Sequence, residues 1–467
     1  MISRVLKEIE IMAKGHGLKG EYEEIKIKGV STDSRRIKSG QLFVPIVGEN
    51  FNGHQFISDA IEKGATGAIW CESEPIPDID FPFILVKDTL TSIQELAKAY
   101  RNQLDTKVIG ITGSNGKTST KDILASLLKT KYKTHKTFAN LNNHLGVPLT
   151  ILELEEDTEM AVVEMGMDHL GDIELLTSIA SPDVAVITNI GEAHLDYLKT
   201  KTNIVKAKLE ILKGLNPNGL FVYFGDDPLL SNTIKNMNTN YKTVTFGKNL
   251  TNTYIPEIIS IEENGTYFRL DKLDCPTFFL SMVGKHQVYN ATAAVTVARY
   301  FGISLEQIQE GLSKIEVTGM RNELIYTEKY TILNDSYKSN PTSLLSALET
   351  LYSFKNYKQK IAVLGDMNGL GIEEINMHME IGKKIEPDKI DYLITIGSLA
   401  ANIAKAAKSR FPDNRVFSFT NKALLVEKLK EIIQYKSMVL IKGSRELKLE
   451  DIVKALISEN PLEKEVI

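Results

Sequence analysis

Apolar residues recur along this chain in two rhythms. Short, nearly unbroken runs rich in Val, Ile and Phe lie at 66–70, 81–86, 107–112, 160–166, 183–190 and 219–225, and again at 330–335, 360–365, 391–397 and 437–443. Runs of this kind predict strands buried on both faces. Between them stand stretches with apolar residues at helical spacing: 54–65, 92–103, 119–132, 202–215, 342–351 and 423–433. In 119–132, Thr120, Ile123, Leu124, Leu127 and Leu128 fall on one face. Strands alternating with amphipathic helices predict an α/β chain with mostly parallel sheets covered by helices. Breaks in the pattern divide it into 1–87, 88–317 and 318–467, the last reading as a second doubly wound, Rossmann-like unit.

Length supports the division, because 467 residues exceed what one ordinary core encloses. The hydrophobic fraction of 43% and charged fraction of 25% are those of a soluble globular chain. A net charge of −5 supplies no basic field for nucleic acid, so no such partner is expected. No apolar run approaches a membrane span, and MISRVLKEIEIMAKG lacks the unbroken apolar centre of a signal peptide. Cys71 and Cys275 stand far apart, which argues against a disulfide framework or a cysteine metal site. A reducing cytoplasm follows, with each thiol expected as a small buried hydrophobe.

Chemistry concentrates at VIGITGSNGKTST, 108–120. A Walker A loop, G-x-x-x-x-G-K-[ST], counted back from Gly116-Lys117-Thr118 would open with glycine at 111. Ile111 stands there, and the glycines fall at 110 and 113. The context is nonetheless that of a phosphate loop, since a strand runs into the glycines and a helix follows from about Lys117. Free backbone N–H groups and the helix dipole at such a junction favour an anion. Lys117 would reach the outer phosphates and Thr118 would offer its hydroxyl to Mg²⁺. The bland alternative, a tight turn with a surface lysine, leaves the flanking strand and helix unexplained.

The string GITGSNGKTST resembles the ATP loop of the Mur ligase family, which builds the peptide stem of bacterial cell walls and reads close to GxTGTNGKT there. The odd spacing is thus the family's own. Other blocks agree along nearly the whole chain: NLNNHLGVPLTILEL (140–154), VVEMGM (162–167), TNIGEAHLDYL (188–198), GKHQVYNATAA (284–294), GMR (319–321), NDSYKSNPTS (334–343) and IKGSRELKLE (441–450). Within the family, STDSRRIKSGQLFVPIVGENFNGHQF (31–56) resembles the nucleotide-sugar domain of the third and fourth ligases of the pathway, and LNDSYKSNP and GDMNGLG resemble the fourth. The Asp-Asn-Pro-Arg motif of the diaminopimelate-adding third ligase is absent. Two departures stand out. The fourth ligase usually reads Ala-Tyr-Asn-Ala-Asn-Pro where this chain has Ser336-Tyr337-Lys338-Ser339-Asn340-Pro341, and Gly-Asp-Met-x-Glu-Leu-Gly where Asn368 and Gly369 precede Leu370.

The resemblance implies a small α/β nucleotide-sugar-binding domain, a central P-loop-type ATPase domain and a C-terminal domain for the amine. It implies a monomeric ligase that uses ATP to join D-alanyl-D-alanine to UDP-N-acetylmuramoyl-tripeptide through an acyl phosphate. The alternative is a paralogue with another amine acceptor. Folylpolyglutamate synthetase shares the core chemistry but not the N-terminal block, and a nucleotide switch or motor needs no third doubly wound unit. By the same resemblance, Gly113, Ser114, Asn115, Gly116, Lys117, Thr118 and Ser119 hold the ATP phosphates. His286 and Asn290 lie on the adenine side, and Arg321 and Asp335 reach phosphates and ribose as the domains close. Thr118 and Glu164 bind one Mg²⁺, with Mn²⁺ also compatible, and His194 serves a second ion. Lys208, fourteen residues after that histidine, is expected to be carbamylated, in preference to Lys206. Lys117, His194 and Lys208 are the catalytic candidates. Ser31, Asp33, Ser34 and Arg35 are expected at the UDP group, Asn142 and Asn143 at the peptide end, and Tyr337, Asn340 and Arg445 at the acceptor.

Overall fold

The computed structural model describes residues 1–237, 241–271 and 273–458. The first region carries an antiparallel pair, Ser3–Val5 with Lys26–Lys28, and a four-stranded parallel sheet ordered Val30–Ser31, Leu42–Phe43, Gly67–Cys71, Phe83–Val86. Trp70 is its buried centre, edge-on to His54 and Phe83. Asp88 caps the next helix, Thr89–Arg101, by accepting from the Thr91 N–H at 2.7 Å. That helix ties the first region to the second. Buried Tyr100 donates to the Leu154 carbonyl and buried Arg101 to that of Ala180.

The central region is built on six parallel strands in the order Thr134–Lys136, Met160–Glu164, Lys107–Thr112, Val184–Ile187, Leu220–Phe224, Lys242–Phe246. Alternation along each strand feeds two cores. Val108, Ala161, Val163 and Ile187 face one, while Ile109, Ile111, Val162 and Val186 face the other. Burial on both faces is what the unbroken apolar runs encode. A three-stranded antiparallel sheet, Ile255–Ile261, Thr266–Asp271, Phe278–Leu280, packs beside it and departs from the parallel pattern expected there. Its middle strand alternates buried and exposed residues, so it has no apolar run to show.

The third region has six strands in the order Glu323–Tyr326, Tyr330–Asp335, Ser437–Lys442, Gln359–Gly365, Tyr392–Ile396, Val416–Phe419. The first is an antiparallel edge and the rest are parallel. Helices cover both faces around two further cores. Both cysteines are free, and both are half-buried rather than buried as expected. Cys71 ends its strand, where its thiol donates to the Lys87 carbonyl. Among the described residues no helix is long and apolar enough to cross a membrane.

Candidate active site

The carboxyl ends of the central strands meet the third region around a cavity of about 610 Å³. The strand Lys107–Thr112 delivers the loop 113–116, and the helix Lys117–Lys129 begins directly after it. Two glycines there have no substitute. Gly113 has φ of +150° and a Cβ on it would lie 1.8 Å from Oγ1 of Thr188, while Gly116 has φ of +78° and its Cβ would lie 2.3 Å from Oδ1 of Asn290. Asn115 donates its backbone N–H to Oδ1 of Asn189 at 2.9 Å, and Ser114 donates its hydroxyl to the Gly191 carbonyl. Lys117 donates to the Gly113 carbonyl at 2.8 Å, and burial pulls its ammonium pKa down to about 8.

Glu164 ends the neighbouring strand, 1% exposed. Its Oε2 accepts from the Thr118 hydroxyl at 2.9 Å and lies 3.5 Å from the Lys121 ammonium, and its Oε1 accepts from the Asn142 amide at 2.8 Å. Burial alone would raise its carboxyl, but Lys121, Arg321 and Lys117 outweigh that and keep it below the ordinary range. A hydroxyl beside an ionised carboxylate under a phosphate loop is the hard-oxygen donor set that suits Mg²⁺. No group of three or more His, Cys, Asp and Glu side chains converges among the described residues, so such an ion would take its remaining ligands from phosphate and water.

His194 stands in the left-handed region at φ of +60°, just before the short helix Leu195–Leu198. Its Nδ1 lies 2.8 Å from Oδ1 of Asp168, and its Nε2 lies 2.9 Å from Nζ of Lys338. Those partners fix the tautomer, with the proton on Nδ1 and the lone pair on Nε2. Burial lowers the His194 pKa and keeps the ring neutral, against the pull of Asp168. Lys208, on the helix Lys201–Leu209, is 2% exposed, whereas Lys206 is exposed. Burial first, then the charges of Lys117 and Lys338, drive the Lys208 pKa well below the usual lysine value.

From the third region, the Arg321 guanidinium lies over the Tyr337 ring at 4.0 Å. Its Nε is buried with no hydrogen-bond partner, an orphan donor facing an anion site. Asp335 pairs with the buried Lys442 at 2.6 Å. His286 contacts the side chain of Asn322, and burial pushes its pKa down to about 4.

Three family models match successive stretches of the chain: "Mur ligase family, catalytic domain" over 26–101, "Mur ligase middle domain" over 111–298, and "Mur ligase, glutamate ligase domain" over 320–445. The chain belongs to the Mur ligase family. It is similar to the UDP-N-acetylmuramoyl-tripeptide–D-alanyl-D-alanine ligase of Bacillus subtilis, at 46% identity over 99% of this chain and 100% of the relative. Its structure is similar to that of MurF from Acinetobacter baumannii, with a TM-score of 0.88, 30% identity, and coverage of 98% of this chain and 99% of that one. A MurF ligase from Thermotoga maritima in complex with ADP matches with a TM-score of 0.81 at 28% identity, over 92% of this chain and 97% of that one.

In this Mur ligase the cavity gathers residues 113–119 with Asn142, Asn143, Glu164, His194 and Lys208, and with His286, Asn290, Arg321, Asp335 and Tyr337. Asn142, expected at the peptide end of the substrate, donates to Glu164. Other candidates lie outside the cavity lining. Asp33 accepts from the Arg35 backbone and guanidinium, closing a local turn with Ser31, and Ser34 is buried beside them. Asn340 caps the helix Pro341–Ser353 and exchanges amide bonds with Asn115, at 2.7 Å for the shorter. Arg445 pairs with Glu450. Asp168, Lys121 and Lys442 escaped the sequence reading. Lys121 carried a signal, because it follows Thr118 at i+3 and so faces the same side of the helix.

Proposed function

We propose that this chain joins D-alanyl-D-alanine to UDP-N-acetylmuramoyl-tripeptide, converting ATP to ADP and phosphate. The observation that carries the reading is the convergence, in one cavity between the central and third regions, of the phosphate loop, the Thr118–Glu164 pair, His194 and Arg321 with its unbonded Nε. The likeness to the Bacillus subtilis ligase over the full length supports the choice of substrates. The regions 1–87, 88–317 and 318–467 would serve the UDP substrate, ATP and the amine.

In the first step a carboxylate oxygen of the tripeptide bonds to the γ-phosphorus as the bond to the ADP oxygen breaks. No proton moves. Lys117 neutralises charge on the β- and γ-phosphates, the 113–116 backbone cradles them, and Arg321 adds its free N–H from the third region. Thr118 and Glu164 fit Mg²⁺, or Mn²⁺, which when bound supplies Lewis-acid charge at the phosphates. In the second step the amine nitrogen bonds to the acyl carbon, phosphate leaves, and the surplus amine proton departs with it. Closure of the third region over the cavity would keep water from the acyl phosphate.

Lys208 fits carbamylation. Burial and the charges of Lys117 and Lys338 push its amine toward the neutral, nucleophilic form, and CO₂ addition with loss of one proton would set an anion against those two cations. Ser31, Asp33, Ser34 and Arg35 would meet UDP from the first region, with Asn143 toward the peptide and Tyr337 toward the acceptor.

The test is ATP-dependent phosphate release with UDP-N-acetylmuramoyl-tripeptide while the amine is varied. Release that requires D-alanyl-D-alanine and yields UDP-pentapeptide by mass supports the reading. Release with another amine alone moves the acceptor, and release without any UDP substrate overturns the ligase chemistry.

A further inference from the structure

Lys338 lies between the strand Tyr330–Asp335 and the helix Pro341–Ser353. Its ammonium, 2.9 Å from Nε2 of His194, takes up the one lone pair that the ring has to give, because Nδ1 carries the proton held by Asp168. A metal ion bound to His194 needs that same lone pair. The two cations are therefore rivals for one atom.

The contact is built from both sides. On the third region, the Lys338 carbonyl accepts from the buried Lys442 at 2.9 Å, and Lys442 is itself anchored on Asp335. Two residues on, Asn340 is bonded to Asn115 of the phosphate loop. On the central region, Asp168 fixes the ring that receives the ammonium. Lys338 also stands where the motif it resembles has asparagine, a side chain without charge.

We propose that Lys338 is the second cation of this active site: its ammonium, seated on His194, takes the place of a second divalent ion, and the chain works with one metal ion, at Thr118 and Glu164. The inference rests on the ligase reading. One ammonium N–H goes to His194 and the others are left for an oxyanion, the γ-phosphoryl group or the carboxylate that attacks it. The lysine contributes charge and hydrogen bonds alone to phosphoryl transfer. Because it rides on the third region, that charge arrives only when this region meets the central one.

The test counts ions on the full chain. Mn²⁺ is titrated by electron paramagnetic resonance at saturating β,γ-methylene ATP, for the wild type, Lys338→Asn, Lys338→Met and Lys338→Asn combined with His194→Gln. One ion is expected for the wild type, two for each single variant and one for the double variant. Thermal melts confirm that each chain is folded, and either Lys338 variant suffices. Two ions on the wild type, with affinities within about threefold of those of Lys338→Asn, would overturn the proposal, as would a single ion on both folded Lys338 variants. The count involves no amine, so a failure of D-alanyl-D-alanine as acceptor would leave it standing.

Discussion

The backbone N–H of Thr318 donates to Oδ2 of Asp122 at 2.8 Å, which ties the linker into the third region to the phosphate-loop helix. The other oxygen of Asp122 accepts from Lys136 at 2.7 Å and lies 3.7 Å from Lys121, whose ammonium reaches Glu164. A line of buried charge thus runs from the linker to the carboxylate beneath the phosphates.

Removing the middle of that line should be costly. Asp122→Ala takes one of two counter-charges from Lys121, which is fully buried, leaving Glu164 at 3.5 Å, and frees the linker N–H. A loss of about 3 kcal/mol or more is expected. A thermal melt should show a clearly lower midpoint, with ADP affinity falling alongside. A melt indistinguishable from the wild type would refute the coupling.

Lys117→Ala should cut ligase turnover at least about a hundredfold, since it removes the cation nearest the transferring charge. The fold should hold, because this side chain bonds only to a loop carbonyl. Steady-state phosphate release beside a melt separates the two effects, and near-normal turnover would remove Lys117 from the mechanism.

Lys208→Ala should lose activity and recover part of it with added short carboxylates. With ¹³C-bicarbonate the wild type should show a carbamate resonance that the variant lacks. If neither rescue nor resonance appears, the lysine is an ordinary buried amine.

His286 gives a dependence on pH with a definite sign. Its folded-state pKa is near 4, against an ordinary value of 6.5, and burial is the cause. The unfolded chain therefore takes up this proton first as pH falls. The stability held above pH 6.5 is lost between 6.5 and 4, to the extent of about 3 kcal/mol. Melts of wild type and His286→Gln at pH 7 and pH 4.5 should differ less at the lower pH. A constant difference would mean that the ring is solvated.

Much of this was legible in the chain. The parallel strands announce themselves because burial on both faces forces unbroken apolar runs, and Lys107–Thr112 leads visibly into the glycines. The strand Thr266–Asp271 was hidden because half of its residues face water. The choice of Lys208 over Lys206 rests on the resemblance alone; in the structure Lys208 is buried and Lys206 exposed. Contacts across the chain left no periodic trace: His194 meets Lys338 144 positions away, and Asp122 meets Thr318 196 positions away. Asn340, a candidate for the acceptor, has its amide committed to a helix cap and to Asn115.

The pair of amides formed by Asn115 and Asn340 joins the phosphate loop to the first turn of the third region's helix without a formal charge on either side. It behaves as a latch across the mouth of the nucleotide site, and salt has little hold on it. Ionic strength will weaken the grip on phosphate while leaving the latch almost untouched, so opening and nucleotide release should separate in their response to salt.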